Sequence, residues 1–195
     1  MNDTEKHRIS RVTTRSGDSG TTGLADGSRL SKADRRILAM GDLDELNSAL
    51  GVLRSRALPD ALDKILDRVQ HALFDMGAEL AIPGHTVIQA SHVLYLEQQQ
   101  DELNATLPAL KEFLLPGGHA DAAWCHYCRT LARRVERQCV ALHDAQTGAL
   151  PAESLRYINR LSDLLFVMAR SLNQHHGVSE PLWNNTVTRN GEQHD

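Results

Sequence analysis

Leucines recur through most of this chain at helical spacing, in runs that prolines cut off, and that pattern leaves little room for anything but an α-helical fold. Leu43, Leu46, Leu50 and Leu53 stand at i, i+3, i+7 and i+10, one stripe of a helix predicted over residues 32–56 and ended by Pro59. Asp60 and Asp63 suit the start of a second helix, where Leu62, Ile65, Leu66, Val69, Leu73, Met76 and Leu80 keep the period until Pro83 and Gly84. A glutamine-rich third helix is predicted over residues 91–107, before Pro108, and a fourth over residues 120–144 after the apolar turn FLLPGG at 113–118. Pro151 opens a fifth, whose Leu155, Ile158, Leu161, Leu165, Met168 and Leu172 recur until His176 and Gly177. No segment reads as a convincing strand. Aromatics are 4% of residues against 41% hydrophobic, so the core must be built from Leu, Ala, Val and Ile, a composition that favours helices over a β-sandwich.

The chain's 195 residues fit one domain, expected over residues 14–183, with mobile polar tails at 1–13 and 184–195. A net charge of −4 gives no overall basic field, so no nucleic-acid partner is expected. No stretch reaches the roughly 20 apolar residues of a membrane span. The opening MNDTEKHR is too polar for a secretory signal, and a cytoplasmic location with no membrane partner is expected. Cys125, Cys128 and Cys139 are odd in number and clustered, which points to reduced thiols rather than a disulfide framework.

Five groups of residues could carry chemistry. TRSGDSGTTGL, residues 14–24, joins glycines that can turn backbone N–H groups to one point with the hydroxyls of Thr14, Ser16, Thr21 and Thr22 and the charge of Arg15. It lacks the GxxxxGKS of a P-loop, and a phosphate cradle and a flexible leader both fit. On the fourth helix Arg129, Arg133 and Glu136 fall on one side, beside Cys128, Leu131, Ala132, Val135 and Cys139, with Arg134 and Arg137 nearby. A solvated ion-paired face and a polyanion site are both open readings. GDLDELNS, residues 41–48, crowds Asp42, Asp44, Glu45 and Asn47 together, but the absence of any Glu-x-x-His weakens a diiron reading; pairing with arginines is the alternative. Cys125-His126-Tyr127-Cys128 lacks the second pair that zinc takes and reads as small core residues. In RYINRLSDLLF, residues 156–166, Asn159 adjoins the apolar stripe and needs a partner, whereas Arg160 can lie outside.

In order, TRSGDSGTT, Lys32, GDLDELNSALG, LFDMGAELA, LKEFLLPGG, HYCRTLARRVER and RYINRLSDLLFVMAR resemble the PduO-type ATP:cob(I)alamin adenosyltransferases, from Thr14 to about Trp183. The resemblance implies an all-α five-helix bundle assembled as a homotrimer, with an active site at each subunit interface. It implies that Thr14, Arg15, Gly17, Asp18, Gly20, Thr21 and Thr22 wrap ATP and that Lys32 meets its phosphates. Arg133, Glu136, Arg137 and Asn159 of the adjoining subunit would complete the pocket, Asp44 would pair with Arg129 across the interface, and Phe113 would face the corrin ring. The implied reaction is attack of reduced cobalt on the ribose 5′-carbon of ATP, with Mg²⁺ and cations stabilising the departing triphosphate. Phe113 would keep the lower axial ligand off cob(II)alamin. A reductase and an adenosylcobalamin-dependent acceptor enzyme are the implied partners. Met40, Trp124 and Cys128 depart from the family's pattern. The competing readings are a metal-carboxylate bundle, which would hold iron or manganese, and a corrinoid carrier, which would have no use for the ATP loop.

Overall fold

The structure, a computed structural model, describes residues 13–184 together with 186 and 187. The tails expected at 1–13 and 184–195 therefore fall outside the described residues except at 13, 184, 186 and 187. Five helices follow one another: α1 (Arg35–Arg54), α2 (Asp60–Ala81), α3 (Ala90–Asn104), α4 (Ala120–Ala145) and α5 (Ala152–His175). α4 packs along α5 and α1, α3 lies against α5, and α1 against α2, so α4 and α5 form the middle of an all-α bundle. None of these helices is long and apolar enough to cross a membrane.

The elements start and stop where the local chemistry requires. Asp34 caps α1 by accepting from the Arg36 N–H at 2.8 Å, which shortens the helix expected from residue 32. Pro59 and Pro151 each stand immediately before a helix, where their missing N–H leaves no bond unmade. α3 ends at Asn104 rather than 107, where the Thr106 and Leu107 N–H groups turn onto Leu103 O and Asn104 O in a closing turn ahead of Pro108. The segment before α1 is not strand-free as expected: β1 (Thr21–Gly23) and β2 (Arg29–Ser31) form a small antiparallel hairpin, Thr22 opposite Leu30. Three-residue strands are too short to show an alternation in sequence.

The core is leucine-rich, with Leu46, Leu50, Leu66, Leu80, Leu96, Leu161 and Leu164 fully enclosed. Cys125, Cys128 and Cys139 are buried and free, as their spacing suggested. Burial pushes Cys128 and Cys139 up to about 12, so both stay as thiols at neutral pH.

Buried polar groups tie the helix ends together. Glu79 accepts from the Val87 and Ile88 N–H groups at 2.7 and 2.8 Å and from the Ser154 hydroxyl, joining the α2–α3 connection to the start of α5. Arg36 donates to Leu80 O at 2.8 Å and to Gln146 Oε1 at 3.2 Å, tying the start of α1 to the ends of α2 and α4 beside the Glu79 cluster. Asp121, at the start of α4, holds Arg56 on one oxygen and His176 Nε2, at 3.0 Å, on the other. Burial pushes this carboxyl up, but the hydrogen bond and charge of Arg56, with His119 and His176, outweigh it and hold Asp121 below the usual carboxylate range.

A carboxyl whose folded pKa is depressed contributes stability above its unfolded pKa, near 3.9, and loses that contribution as pH falls through the folded value. Asp121→Asn is therefore expected to cost about 1–2 kcal/mol in urea denaturation at pH 7, since Arg56 keeps partial access to water. The deficit should shrink as pH is lowered below about 4; a deficit independent of pH would contradict the assignment.

Candidate functional site

The glycine-rich loop is folded rather than slack. Asp18 N–H donates to Arg15 O at 3.3 Å, Gly20 N–H to Gly17 O at 3.1 Å, and Lys32 N–H to Gly20 O at 2.9 Å, so the chain coils back over the start of α1. Gly20 has φ +81° and Arg15 φ +59°, and only at the glycine is that conformation free of side-chain strain. A Cβ on Gly17 would stand 3.1 Å from Lys32 Nζ, which shows how closely the ammonium group lies under the loop. The hydroxyls of Thr14 and Ser16 meet at 2.9 Å, and Thr14, Arg15 and Asp18 face solvent. Sequence reasoning missed the residue that holds this loop. Arg29 donates to Ser16 O at 2.7 Å, Thr21 O at 3.2 Å and Thr21 Oγ1 at 2.7 Å, which clamps the loop to the hairpin.

The second half of the site lies where α4 meets α5. Asn159 donates to Glu136 Oε1 at 2.7 Å and accepts from Arg160 at 2.6 Å, and Arg160 reaches Glu97 on α3 at 2.8 Å. Glu136 and Asn159 are thus brought together, and Arg160 is a working member of the network rather than an outward charge. Arg137 folds onto Arg133 O at 3.0 Å, while the Arg133 side chain is exposed. Arg134 turns away to Asp42 and Glu45 on α1, which uses two of the carboxylates of GDLDELNS for ion pairing.

Arg129, unlike Arg134, has no carboxylate paired with it among the described residues. It is half-buried, its Nε is sealed from solvent, and that atom has no hydrogen-bond partner among the described residues. Burial and the nearby charge of Arg133 push its pKa down. It borders two clefts: one of about 290 Å³ with Gln100, Arg133, Ser162 and Asp163, and one of about 520 Å³ with Phe113, Pro116, His126 and Phe166. Phe113 is 78% exposed at the rim of the second. His126, also missed in the sequence, is buried there; burial and then Arg129 push it down to about 4, so it is neutral at pH 7.

Asp44 lies elsewhere, on a cleft of about 330 Å³ between α1 and α2 lined by Met40, Leu73, Gly77 and an exposed Phe74. Within one chain no hydrogen bond or ion pair among the described residues joins Asp44 to Arg129, or residues 14–22 to Arg129, Arg133 or Arg137. In the single chain the loop residues and the α4 arginines thus form two groups with no direct bond between them among the described residues.

One further group has metal-ligating side chains: His119, Asp121 and His176. Asp121 is already neutralised by Arg56, the His119 Nδ1 accepts the Asp121 N–H at 3.2 Å, and the two imidazoles stack at 3.5 Å with nearly parallel planes. Parallel rings do not point their lone pairs at one ion, so this cluster is a helix cap and ion pair.

Comparison with known proteins gives a consistent result. A family model described as cobalamin adenosyltransferase matches residues 12–172. A cobalamin adenosyltransferase of Cupriavidus metallidurans is 51% identical over 178 residues, covering 91% of this chain and 96% of the relative. A corrinoid adenosyltransferase of Mycobacterium leprae is 40% identical over 186 residues, covering 90% and 96%. Among solved structures, a variant PduO-type ATP:corrinoid adenosyltransferase from Lactobacillus reuteri, with a phenylalanine replaced by alanine and complexed with cobalamin and ATP, superposes with a TM-score of 0.83. It is 34% identical and covers 90% of this chain and 100% of its own.

If Arg29 clamps the loop, Arg29→Ala should speed limited tryptic cleavage after Arg15 several-fold without changing the helical circular-dichroism signal. An unchanged cleavage rate would show that the loop is held by something else.

Proposed function

The chain belongs to the cobalamin adenosyltransferase family, and on that premise we propose how its residues carry the reaction. It transfers the 5′-deoxyadenosyl group of ATP to the cobalt of a reduced corrinoid, releasing inorganic triphosphate. The finer activity is that of a cob(I)yrinic acid a,c-diamide adenosyltransferase.

The position of Arg129 is the observation that carries the residue-level reading. Its guanidinium stands between the cleft that holds Arg133 and the cleft that holds Phe113. A triphosphate beside Arg133 and a corrin ring against Phe113 would then lie on either side of one side chain, which suits a reaction that joins a nucleotide to a corrinoid. Cobalt(I) donates its electron pair to C5′, the C5′–O bond breaks, and the electrons leave on the triphosphate while cobalt is formally oxidised to the +3 state. No protein nucleophile is involved. The chain's part is to hold the two substrates in line and to stabilise charge on the leaving oxygens.

Thr14, Arg15, Gly17, Asp18, Gly20, Thr21 and Thr22 wrap the nucleotide, and Lys32 lies under the loop where the phosphates arrive. Mg²⁺ enters with ATP; the Thr14 and Ser16 hydroxyls and the exposed carboxylate of Asp18 are oxygen donors of the kind it takes. Arg133, Arg137, Glu136 and Asn159 form the other wall. Phe113 occupies the side of the corrin where a lower axial ligand would bind, and excluding that donor raises the cobalt reduction potential.

The two half-sites meet between subunits of a homotrimer. The exposed Phe74, the cleft beside it and Asp44 lie on the face offered to the neighbouring chain, whose Arg129 supplies the cation that Asp44 lacks at home. Hydrogen-bonded charge pairs enclosed in this way contribute more than pairs on an open surface. Residues 14–183 act as one catalytic domain in the cytoplasm, supplied by a reductase and delivering to an adenosylcobalamin-dependent acceptor enzyme.

With ATP and chemically reduced cobalamin the protein should give the absorbance change of adenosylcobalamin and release triphosphate. Arg133→Ala should lower turnover by about a hundredfold or more while the helical signal and oligomer size persist, because the side chain touches phosphate more than it supports the fold. Near-normal turnover in that variant would sink the assignment of Arg133.

A further inference from the structure

Phe113 stands on a loop with almost no apolar cover of its own, yet its backbone is tightly fixed. The segment that follows α5 runs antiparallel to the loop. Leu115 N–H donates to Pro181 O at 2.8 Å, Trp183 N–H donates to Phe113 O at 2.7 Å, and Leu114 bridges Leu182 between them. This register puts Phe113 directly opposite Trp183, and side chains opposed in an antiparallel pair share one face. Their rings make an edge-to-face contact, centroids 6.4 Å apart and planes at 79°.

The pairing segment is itself anchored in the bundle. Arg170, 4% exposed on α5, holds Glu180 at 2.9 and 3.3 Å and donates to Pro108 O at 2.7 Å. Asn173 accepts from the His119 N–H at 2.8 Å, donates to Gly117 O at 3.1 Å, and accepts the Val178 N–H on its own carbonyl at 2.9 Å. Gly118, at φ +96°, leaves no room for a Cβ beside the Asn173 side chain, and Pro181 packs on Gly117. The end of α5 therefore grips both the Phe113 loop and the strand beside it. Trp183, 44% exposed, does not line the cleft itself and reaches it only through its ring contact with Phe113.

We infer that Trp183 is a positioning residue for the known reaction: its ring, set opposite Phe113 by the antiparallel pairing and fixed through Glu180 and Arg170, holds the Phe113 ring against the corrin face. A lone phenylalanine 78% exposed has several rotamers open to it, and ordering it on substrate arrival costs free energy. An edge-to-face partner removes part of that cost before the corrinoid binds. The inference rests on the reading of Phe113 given above.

The test compares full-length Trp183→Ala, Trp183→Leu, Trp183→Phe, Phe113→Ala and the Phe113→Ala/Trp183→Ala double variant. The readouts are turnover from cob(II)alamin plus reductant, turnover from chemically pre-reduced cob(I)alamin, KM for ATP, and the fraction of four-coordinate cob(II)alamin seen by electron paramagnetic resonance with ATP bound. Trp183→Ala and Trp183→Leu should lower turnover from cob(II)alamin by about three- to tenfold and reduce the four-coordinate fraction. KM for ATP and turnover from cob(I)alamin should change little, and Trp183→Phe should restore most of the loss. The double variant should be no worse than Phe113→Ala, because Trp183 acts through that ring.

A four-coordinate fraction unchanged in Trp183→Leu, or full additivity in the double variant, would overturn the inference, as would an equal loss with ATP. If Trp183→Ala melts early, Trp183→Leu, which keeps apolar bulk without a ring, decides the question at preserved melting temperature. If Phe113→Ala itself leaves the four-coordinate fraction intact, the reading of Phe113 fails; if Phe113→Ala removes it and the Trp183 variants do not, only the present inference fails.

Discussion

A guanidinium group cannot be taken out of water without an anion to meet it, and Arg129 imposes that constraint on this molecule. A guanidinium stays charged in proteins, so it cannot shed its proton to escape the cost, although burial and Arg133 push its pKa down. Around it within the chain are Arg133, which repels it, a neutral His126, and Asp163, which lines the same cleft without an ion pair to Arg129 among the described residues. Arg134, five residues further along α4, is paired with Asp42 and Glu45 on α1, although its Nε too is sealed from solvent without a hydrogen bond. Under the function proposed above, substrate phosphates and the carboxylate of another subunit meet Arg129 and Arg133, so that assembly and nucleotide binding complete the electrostatics of this face.

The same helices that create this deficit fix the reacting groups. α4 carries the arginines on one turn after another, and Asn159 on α5 secures Glu136 beside them. At the start of α4, His119 and Asp121 cap the helix while Asn173 and Arg170 hold the loop of Phe113. On the proposed reading, the arginines of the phosphate side sit on α4 itself, whereas Phe113 of the corrin side sits on a loop that the end of α5 holds in place. The nucleotide loop is different. Its ties to the rest of the chain are the three bonds of Arg29, the Lys32 N–H on Gly20 O and the short hairpin, with no buried apolar side chain among residues 14–22.

Much of the fold was legible in the sequence because leucine stripes and prolines report helices directly; α2, α4 and α5 begin and end within a residue or two of where the period predicts. The hairpin was not legible, since three-residue strands carry no period and their pairing depends on Arg29 reaching back to Thr21. The candidate site divides in the same way. Its residue types and order resembled a known family, and the arginines, the glycine loop and Phe113 could be named from that. His126, Arg160, Asp121 and Trp183 could not, because each acquires its place from partners distant in sequence: Arg129's cleft, Glu97, Arg56 and the loop of Phe113. The apolar segment after α5 was readable as chain but not as a strand, because its partner is a loop with no strand pattern of its own.

The central claim is that each active site takes its glycine loop from one chain and its arginines from another. Mixing two inactive variants tests it most directly: Lys32→Ala, which spoils the loop side, and Arg133→Ala, which spoils the arginine side, co-refolded in equal amounts and assayed with ATP and cob(I)alamin. Shared sites in a randomly mixed trimer should restore about a quarter of wild-type activity, because some interfaces then pair an intact loop with an intact arginine. Activity no higher than that of either variant alone, in trimers shown by mass to be mixed, would contradict the account.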